Sequence, residues 1–219
     1  MKLNKKFSWY ILGSLVLVAA LVLIATFSQA QSQYLKVIVH DIGQGDAIFI
    51  ETPEKYQILI DGGPDDSILA KLGNDLPFYD RSLDLMILTH PHDDHVTGLI
   101  GVLRRYDVKQ ILYTGVSHTA PNYIEWLKVI KDEGTSLEII QNGQTIKLGE
   151  NAELDILYPF EDLTGEKVEN LNNTSVLCRL TYGSTSFLFT GDAEKEEEQD
   201  LIDHNIYLRS DVLKVGHHG

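Results

Sequence analysis

Apolar residues along this chain come in short blocks, separated by glycine, asparagine and acidic residues. Short runs bounded by turn residues predict strands. They fall at 35–39, 47–51, 56–60, 85–88, 110–113, 137–140, 145–148, 154–157, 176–182, 185–190 and 211–215. Helical spacing shows at 96–106 and most plainly at 122–133, where Tyr123, Trp126, Leu127 and Ile130 share one face. Pro121 suits the first turn of that helix and Gly134 its end. A further helix at 194–205 is strongly acidic and reads as a solvated face, with His204 complementing its dipole. Gly183-Ser184 predicts a hairpin turn between the strands on either side. Segment 64–82, interrupted by Gly73-Asn74-Asp75 and Pro77, reads as loop, as does the polar stretch 161–173. Strands and helices mixed in this order predict an α/β domain.

The N-terminus departs from that pattern. Lys2, Lys5 and Lys6 precede an uncharged run from Phe7 to Ala30, and Ser28-Gln29-Ala30 offers small residues where a signal peptidase cuts. The apolar part, Tyr10 to Phe27, approaches the roughly 20 residues that a spanning helix needs. A cleaved signal peptide and a retained membrane anchor both stay open. The chain therefore divides into 1–31, signal or anchor, and 34–219, a folded domain. With the basic flank kept inside, residues beyond about 31 face the outside of the cytoplasmic membrane, so the domain is extracytoplasmic.

Composition changes this picture little. The 219 residues are 43% hydrophobic and 23% charged, ordinary for a globular protein with ample chain for a core. A formal charge of −14 argues against a broad basic footprint for phosphate backbones, although bound divalent cations reverse the local field. The single cysteine, Cys178, sits in a strand and reads as a small buried hydrophobe.

The chemistry concentrates after the fourth strand, in Thr89-His90-Pro91-His92-Asp93-Asp94-His95. Residues two apart in extended chain share a side, so His90 and His92 can grip one metal ion. Asp94 and His95 fall where the chain turns into a helix and can face a second ion. Imidazole with carboxylate is a ligand set for zinc, and for manganese or iron where oxygen is richer. A capping aspartate or a solvated histidine-rich turn is the plain alternative. The order of the residues outweighs it, as do further groups at later strand ends. Those groups are Asp61 in Asp61-Gly62-Gly63, Asp192 in Gly191-Asp192, and the pair His217-His218 between glycines. Between the first two strands lies His40-Asp41-Ile42-Gly43-Gln44-Gly45-Asp46. Its spacing alone favours a glycine-punctuated hairpin over a site role for Asp41 or Asp46.

These motifs resemble the metallo-β-lactamase superfamily, a four-layer αββα sandwich with two metals at one edge of its sheets. His90-x-His92-x-Asp94-His95 matches the superfamily signature. Asp61 matches the carboxylate closing an early strand, Asp192 the carboxylate bridging both metals, and the terminal histidine pair the last ligand. Within the superfamily, the chain looks most like the C-terminal extracytoplasmic domain of ComEC-type competence proteins. Asp41-Ile42-Gly43-Gln44-Gly45-Asp46-Ala47, Ile60-Asp61-Gly62-Gly63, Asn172-Asn173-Thr174-Ser175, Phe189-Thr190-Gly191-Asp192 and Leu213-Lys214-Val215-Gly216-His217-His218-Gly219 carry that likeness over about residues 35–219. The resemblance raises the weight on Asp41 and Asp46 as residues near the site.

The resemblance implies two divalent cations, Zn2+ or Mn2+. His90 and His92 would take the first, Asp94, His95 and His217 the second, and Asp192 would bridge. His217 and His218 are interchangeable on sequence; the one not ligating could serve the leaving group as a proton donor. The catalytic set is then Asp94, Asp192 and His218. Asp61 orients ligands from behind, and Asp41, Asp46 and Asn173 stand nearby. Where many superfamily members carry a third first-site histidine, this chain has Asn172-Asn173, which implies a weaker first site completed by water or amide oxygen and either favours manganese over zinc or leaves one metal loosely held. Relatives continue past Gly-His-His-Gly, so the sandwich is expected to be incomplete at its C-terminus.

Three functions follow. The first is a metal-dependent phosphodiesterase or nuclease acting on DNA outside the membrane. The second is a hydrolase of smaller esters such as phosphorylcholine groups, or of a lactam or thioester, which the acidic composition suits better. The third is a degenerate, non-catalytic metal-binding domain. Implied partners are DNA or a small phosphodiester as substrate, and the membrane if the N-terminal segment is retained; the sequence implies no protein partner.

Overall fold

The computed structural model describes residues 5–29 and 34–216. The chain separates into two units, Met1–Tyr34 and Leu35–Gly219. The first contains helix α1 (Lys5–Gln29), whose described side chains from Trp9 to Leu23 are exposed. Among the described residues no helix is long and apolar enough to cross a membrane. Ala30, the expected cleavage position, lies outside the described residues.

The second unit is built on two sheets. In the first, β1 (Lys36–Val39), β2 (Ile48–Glu51), β3 (Gln57–Ile60), β4 (Ser82–Ile87), β5 (Asp107–Tyr113) and β6 (Ser136–Ile139) lie in sequence order. In the second, the order is β11 (Val212–Lys214), β10 (Thr185–Phe189), β9 (Leu177–Tyr182), β8 (Ala152–Tyr158) and β7 (Thr145–Lys147). β3 to β6 are mutually parallel, so β3 and β4 finish at the same sheet edge. β2 and β3 are buried at every position. This explains why Ile48–Ile50 and Ile58–Ile60 are continuously apolar rather than alternating, with Glu51 and Gln57 as buried polar residues at one end of each strand.

Each face of the first sheet has its own core. Phe49, Leu59 and Met86 pack with Leu72 of α2 (Ser67–Asp75), Val96 of α3 (Asp93–Leu103) and Trp126 of α4 (Pro121–Glu133). Ile48, Ile58, Ile60 and Ile87 point the other way, against Leu154, Ile156, Cys178 and Leu180 of the second sheet. Leu177 and Leu188 face outward from that sheet and meet Leu201 of α5 (Lys195–Asp203). The layers are therefore helix, sheet, sheet, helix, the four-layer sandwich expected from the sequence.

Several boundaries differ from expectation. Segment 64–82 is not all loop: Ile68 and Leu72, one turn apart, are fully buried, and they hold α2 together despite Gly73-Asn74-Asp75, which form its last turn. Helix α3 begins at Asp93 rather than at 96, because Asp93 and Asp94 favour the positive end of the helix dipole. Helix α5 is not wholly solvated. Glu197 is 1% exposed, and its carboxylate accepts the Glu194 N–H at 2.7 Å, closing the helix start.

Candidate metal centre

The exits of β3 and β4 carry the chemistry. After β4, the chain runs through Leu88, Thr89 and His90 and enters α3, with His92 as its extended N-cap residue. Asp94 and His95 then lie in the first helical turn, beside the ring of His90. After β3 comes Asp61, fully buried and held at φ +57. A non-glycine residue in the left-handed region costs energy and persists only where its surroundings demand it. Here its backbone N–H donates to the Ile87 carbonyl at 2.9 Å while its carboxylate points beneath the histidines. The two exits pack backbone to backbone: a Cβ on Gly98 of α3 would stand 2.0 Å from the Gly62 oxygen.

Asp61 organises what lies above it. Its Oδ1 accepts the Thr89 N–H at 2.8 Å. Its Oδ2 accepts the Thr89 hydroxyl at 2.7 Å and the His95 Nδ1–H at 2.8 Å. Since a carboxylate only accepts, the Thr89 hydroxyl must donate to it, leaving the hydroxyl oxygen to receive Nδ1–H of His90 at 3.0 Å. One carboxylate thus fixes two imidazoles with Nδ1 behind and Nε2 in front.

The forward nitrogens converge. His90 Nε2 lies 3.0 Å from His92 Nδ1 and 4.0 Å from Asp192 Oδ2. His95 Nε2 lies 3.4 Å from Asp192 Oδ2 and 4.0 Å from Asp94 Oδ1. His90, His95 and Asp192 present ligand atoms within 4.8 Å of one another, and so do Asp46, Asp61 and His95. Among the described residues, none makes a hydrogen bond to the buried His95 Nε2. A buried imidazole nitrogen facing two carboxylates fits a divalent cation.

The titration of the histidines reports the same field. Burial, with the neighbouring His95, holds His90 well below its ordinary value, and burial also lowers His92. For His95, burial lowers the pKa, but the Asp61 charge, the Asp192 carboxylate 3.4 Å away and the hydrogen bond to Asp61 overcome it and lift it to about 10. Without a cation, the ring must itself carry the positive charge that the carboxylates require.

The other expected residues divide. Asp41 is exposed and, among the described residues, its carboxylate receives only the Gly43 N–H, at 3.4 Å, so it shapes its own turn. Asp46 instead reaches the cluster, where burial raises its pKa and its carboxylate pairs with the Lys214 ammonium. Asn173 lies in a 3-10 turn (Leu171–Thr174), with its Oδ1 buried and given no hydrogen bond by any of the described residues. Asp192 is set by its N–H, which donates to Ser175 Oγ at 3.1 Å. His217 and His218 lie outside the described residues. Thr89, Ser175 and Lys214 were not singled out from the sequence. The one signal was a lysine within the apolar strand before Gly-His-His-Gly. A cleft of about 250 Å³ opens beside the cluster, lined by Gly43, Gln44, Gly45, Asp46, Asp94, Asp192, Lys214 and Val215. A larger cavity, about 390 Å³ and lined by Phe78, Arg81, Arg105 and Tyr106, precedes β4 and β5 and so lies at the strand starts, not their exits.

Comparison with known proteins agrees with this fold. The family model of the metallo-beta-lactamase superfamily matches residues 40–219. ComE operon protein 3 of Bacillus subtilis is 30% identical over 196 residues, covering 82% of this chain and 25% of that protein. Recombination protein 2 of Haemophilus influenzae is 27% identical over 208 residues, covering 90% of this chain and 23% of that protein. The chain thus spans about a quarter of the length of these relatives. Among solved structures, MEM-A1, a subclass B3 metallo-beta-lactamase from a soil metagenome library, superposes with a TM-score of 0.55 at 16% identity, covering 85% of this chain and 78% of that one. CmlA, a diiron beta-hydroxylase from Streptomyces venezuelae, gives 0.51 at 19% identity, covering 81% and 34%. At these identities the structural matches speak for the fold alone.

Proposed function

The chain belongs to the metallo-beta-lactamase superfamily, and from that premise we propose that it is a metal-dependent phosphodiesterase acting on DNA or a smaller phosphodiester outside the cytoplasmic membrane. The observation that carries the reading is the buried His95, clasped by Asp61 on one side and bare toward Asp192 and Asp94 on the other. In the proposed arrangement His90 and His92 would hold one divalent ion and Asp94, His95 and His217 a second. Asp192 would contribute to both, and zinc or manganese would suit these donors. Bound there, a cation pair supplies Lewis acidity toward an ester oxygen. Asp61 and Thr89 keep both imidazoles in the tautomer that presents Nε2. Asn173 has a free acceptor oxygen to complete the first site, and His218 is the candidate proton donor to the leaving group.

The likeness to ComE operon protein 3 and Recombination protein 2 supports DNA as the substrate. The cleft of about 250 Å³ and the formal charge of −14 favour the second reading, a small ester, lactam or thioester. An exported domain, held by a signal or anchor within residues 1–31, draws its support from the lysines before the uncharged run.

The test is turnover by the metal-reconstituted protein on single-stranded DNA and on a chromogenic phosphodiester, beside Asp94→Ala. Wild type should turn over at least one of them only with metal present, and Asp94→Ala should lose that activity while keeping its fold. Equal turnover by the variant overturns the role of Asp94. Absence of turnover by the loaded wild type leaves a non-catalytic metal-binding domain. DNA binding that weakens steeply with salt separates the DNA reading from the small-substrate one.

A further inference from the structure

Lys214 is the last residue of β11, paired in register with Phe189 of β10, and Thr190 Oγ1 donates to its carbonyl at 2.8 Å. That register carries its side chain to the metal centre. The ammonium donates to the Gly191 carbonyl at 2.8 Å and pairs with the Asp46 carboxylate. It stands 3.7 Å from Asp192 Oδ1, an ion-pair distance too long for a hydrogen bond. The side chain is 15% exposed and lines the 250 Å³ cleft.

An ammonium has three N–H donors. Two are taken, by Gly191 and Asp46. The third has no acceptor within hydrogen-bond reach among the described residues, although the group is largely buried and holding a charge there is costly. A lysine kept in such a place with a donor to spare is suited to an anion arriving from the cleft. Asp46 locks the ammonium in position, and cations on His90, His95, Asp94 and Asp192 would turn the local field positive.

Resting on the phosphodiesterase reading, we propose that Lys214 forms an anion subsite whose spare N–H takes a non-bridging oxygen of the substrate phosphoryl group. The adjacent Asp192 cluster would then face the same phosphorus. A phosphodiester has two such oxygens and can span both positions. A neutral ester or lactam has a single, uncharged carbonyl oxygen, which cannot reach the cations and Lys214 at once, so the subsite favours phosphodiesters over neutral lactams and carboxylic esters.

The experiment measures calorimetric binding of inorganic phosphate to the metal-loaded wild type, Lys214→Met and Lys214→Arg. Metal stoichiometry, melting midpoint, kcat and KM on the chromogenic phosphodiester are followed in parallel. Lys214→Met should weaken phosphate binding at least tenfold and lower kcat/KM by about 100-fold, the scale of removing one charged donor from a developing oxyanion. Lys214→Arg should recover part of both, and metal stoichiometry should hold in all three. Equal phosphate binding by wild type and Lys214→Met overturns the subsite. So does loss of metal in step with loss of phosphate, which would make the lysine only a tie between the Asp46 loop and Gly191. If wild type binds phosphate through Lys214 but hydrolyses no phosphodiester, the functional reading fails and the subsite stands.

Discussion

Substituting Asp61 by asparagine separates orientation of the metal ligands from ligation itself. Asparagine keeps the volume and tolerates the φ of +57, so backbone strain is held nearly constant. Its oxygen can still accept the Thr89 N–H, and the Thr89 hydroxyl can turn toward His90. The amide nitrogen then occupies the place of Oδ2 and meets the His95 Nδ1–H donor to donor. One charge-assisted bond is lost and one buried donor is left unpaired. Together these should cost about 3 kcal/mol, between the value of a hydrogen bond to a charged group and that of a broken buried ion pair. Urea unfolding of the chelated protein at pH 7 measures the loss directly. Metal affinity should fall about 10–100-fold, as when an outer partner of a ligating histidine is removed. In the metal-free protein, the His95 pKa, lifted to about 10 in wild type, should drop when followed by NMR. A stability loss below about 1 kcal/mol together with unchanged metal affinity would refute the reasoning.

Two further outcomes test the surroundings of the site. Gly45→Ala would place a Cβ 1.8 Å from the Asp94 carbonyl at a residue with φ +78. It should cost about 1–3 kcal/mol and abolish metal-dependent turnover, and wild-type activity in that variant would show that the loop yields freely. Burial raises the Glu197 pKa above 4.5, ahead of the backbone hydrogen bonds that lower it. Its contribution to stability is therefore complete below pH 4.5 and lost as pH rises through the folded-state value. Glu197→Gln should consequently gain melting temperature over wild type at pH 7 and much less at pH 4; a pH-independent difference would contradict this.

Much of the fold could be read from local pattern. Gly183-Ser184 joins β9 and β10, and Pro121 and Gly134 bound α4, because turn and cap chemistry act over a few residues. Helix α2 was hidden because Gly73, Asn74 and Asp75 look like breakers, while the stabilising contacts of Ile68 and Leu72 come from a distant part of the chain. The site shows the same division. His90, His92, Asp94 and His95 announce themselves by adjacency, and Asp61 and Asp192 by closing apolar strands. Lys214 gains its position from sheet register, and Thr89 its role from Asp61, a residue distant in the chain, neither of which a local pattern records. Asp41 and Asp46 look equivalent on paper, yet only Asp46 reaches the cluster, because the turn presents one inward and leaves the other exposed.

The loop over residues 43–46 has little latitude. Gly45 rests on the Asp94 carbonyl and Asp46 is bound to Lys214, while Gly43, at φ +85, sits where a side chain would bring strain. Gln44 is the exposed side chain among them and borders the cleft. Within this loop, variation that retunes selectivity while sparing the centre is therefore channelled through a single codon. Saturation mutagenesis there is a compact route to altered substrate preference.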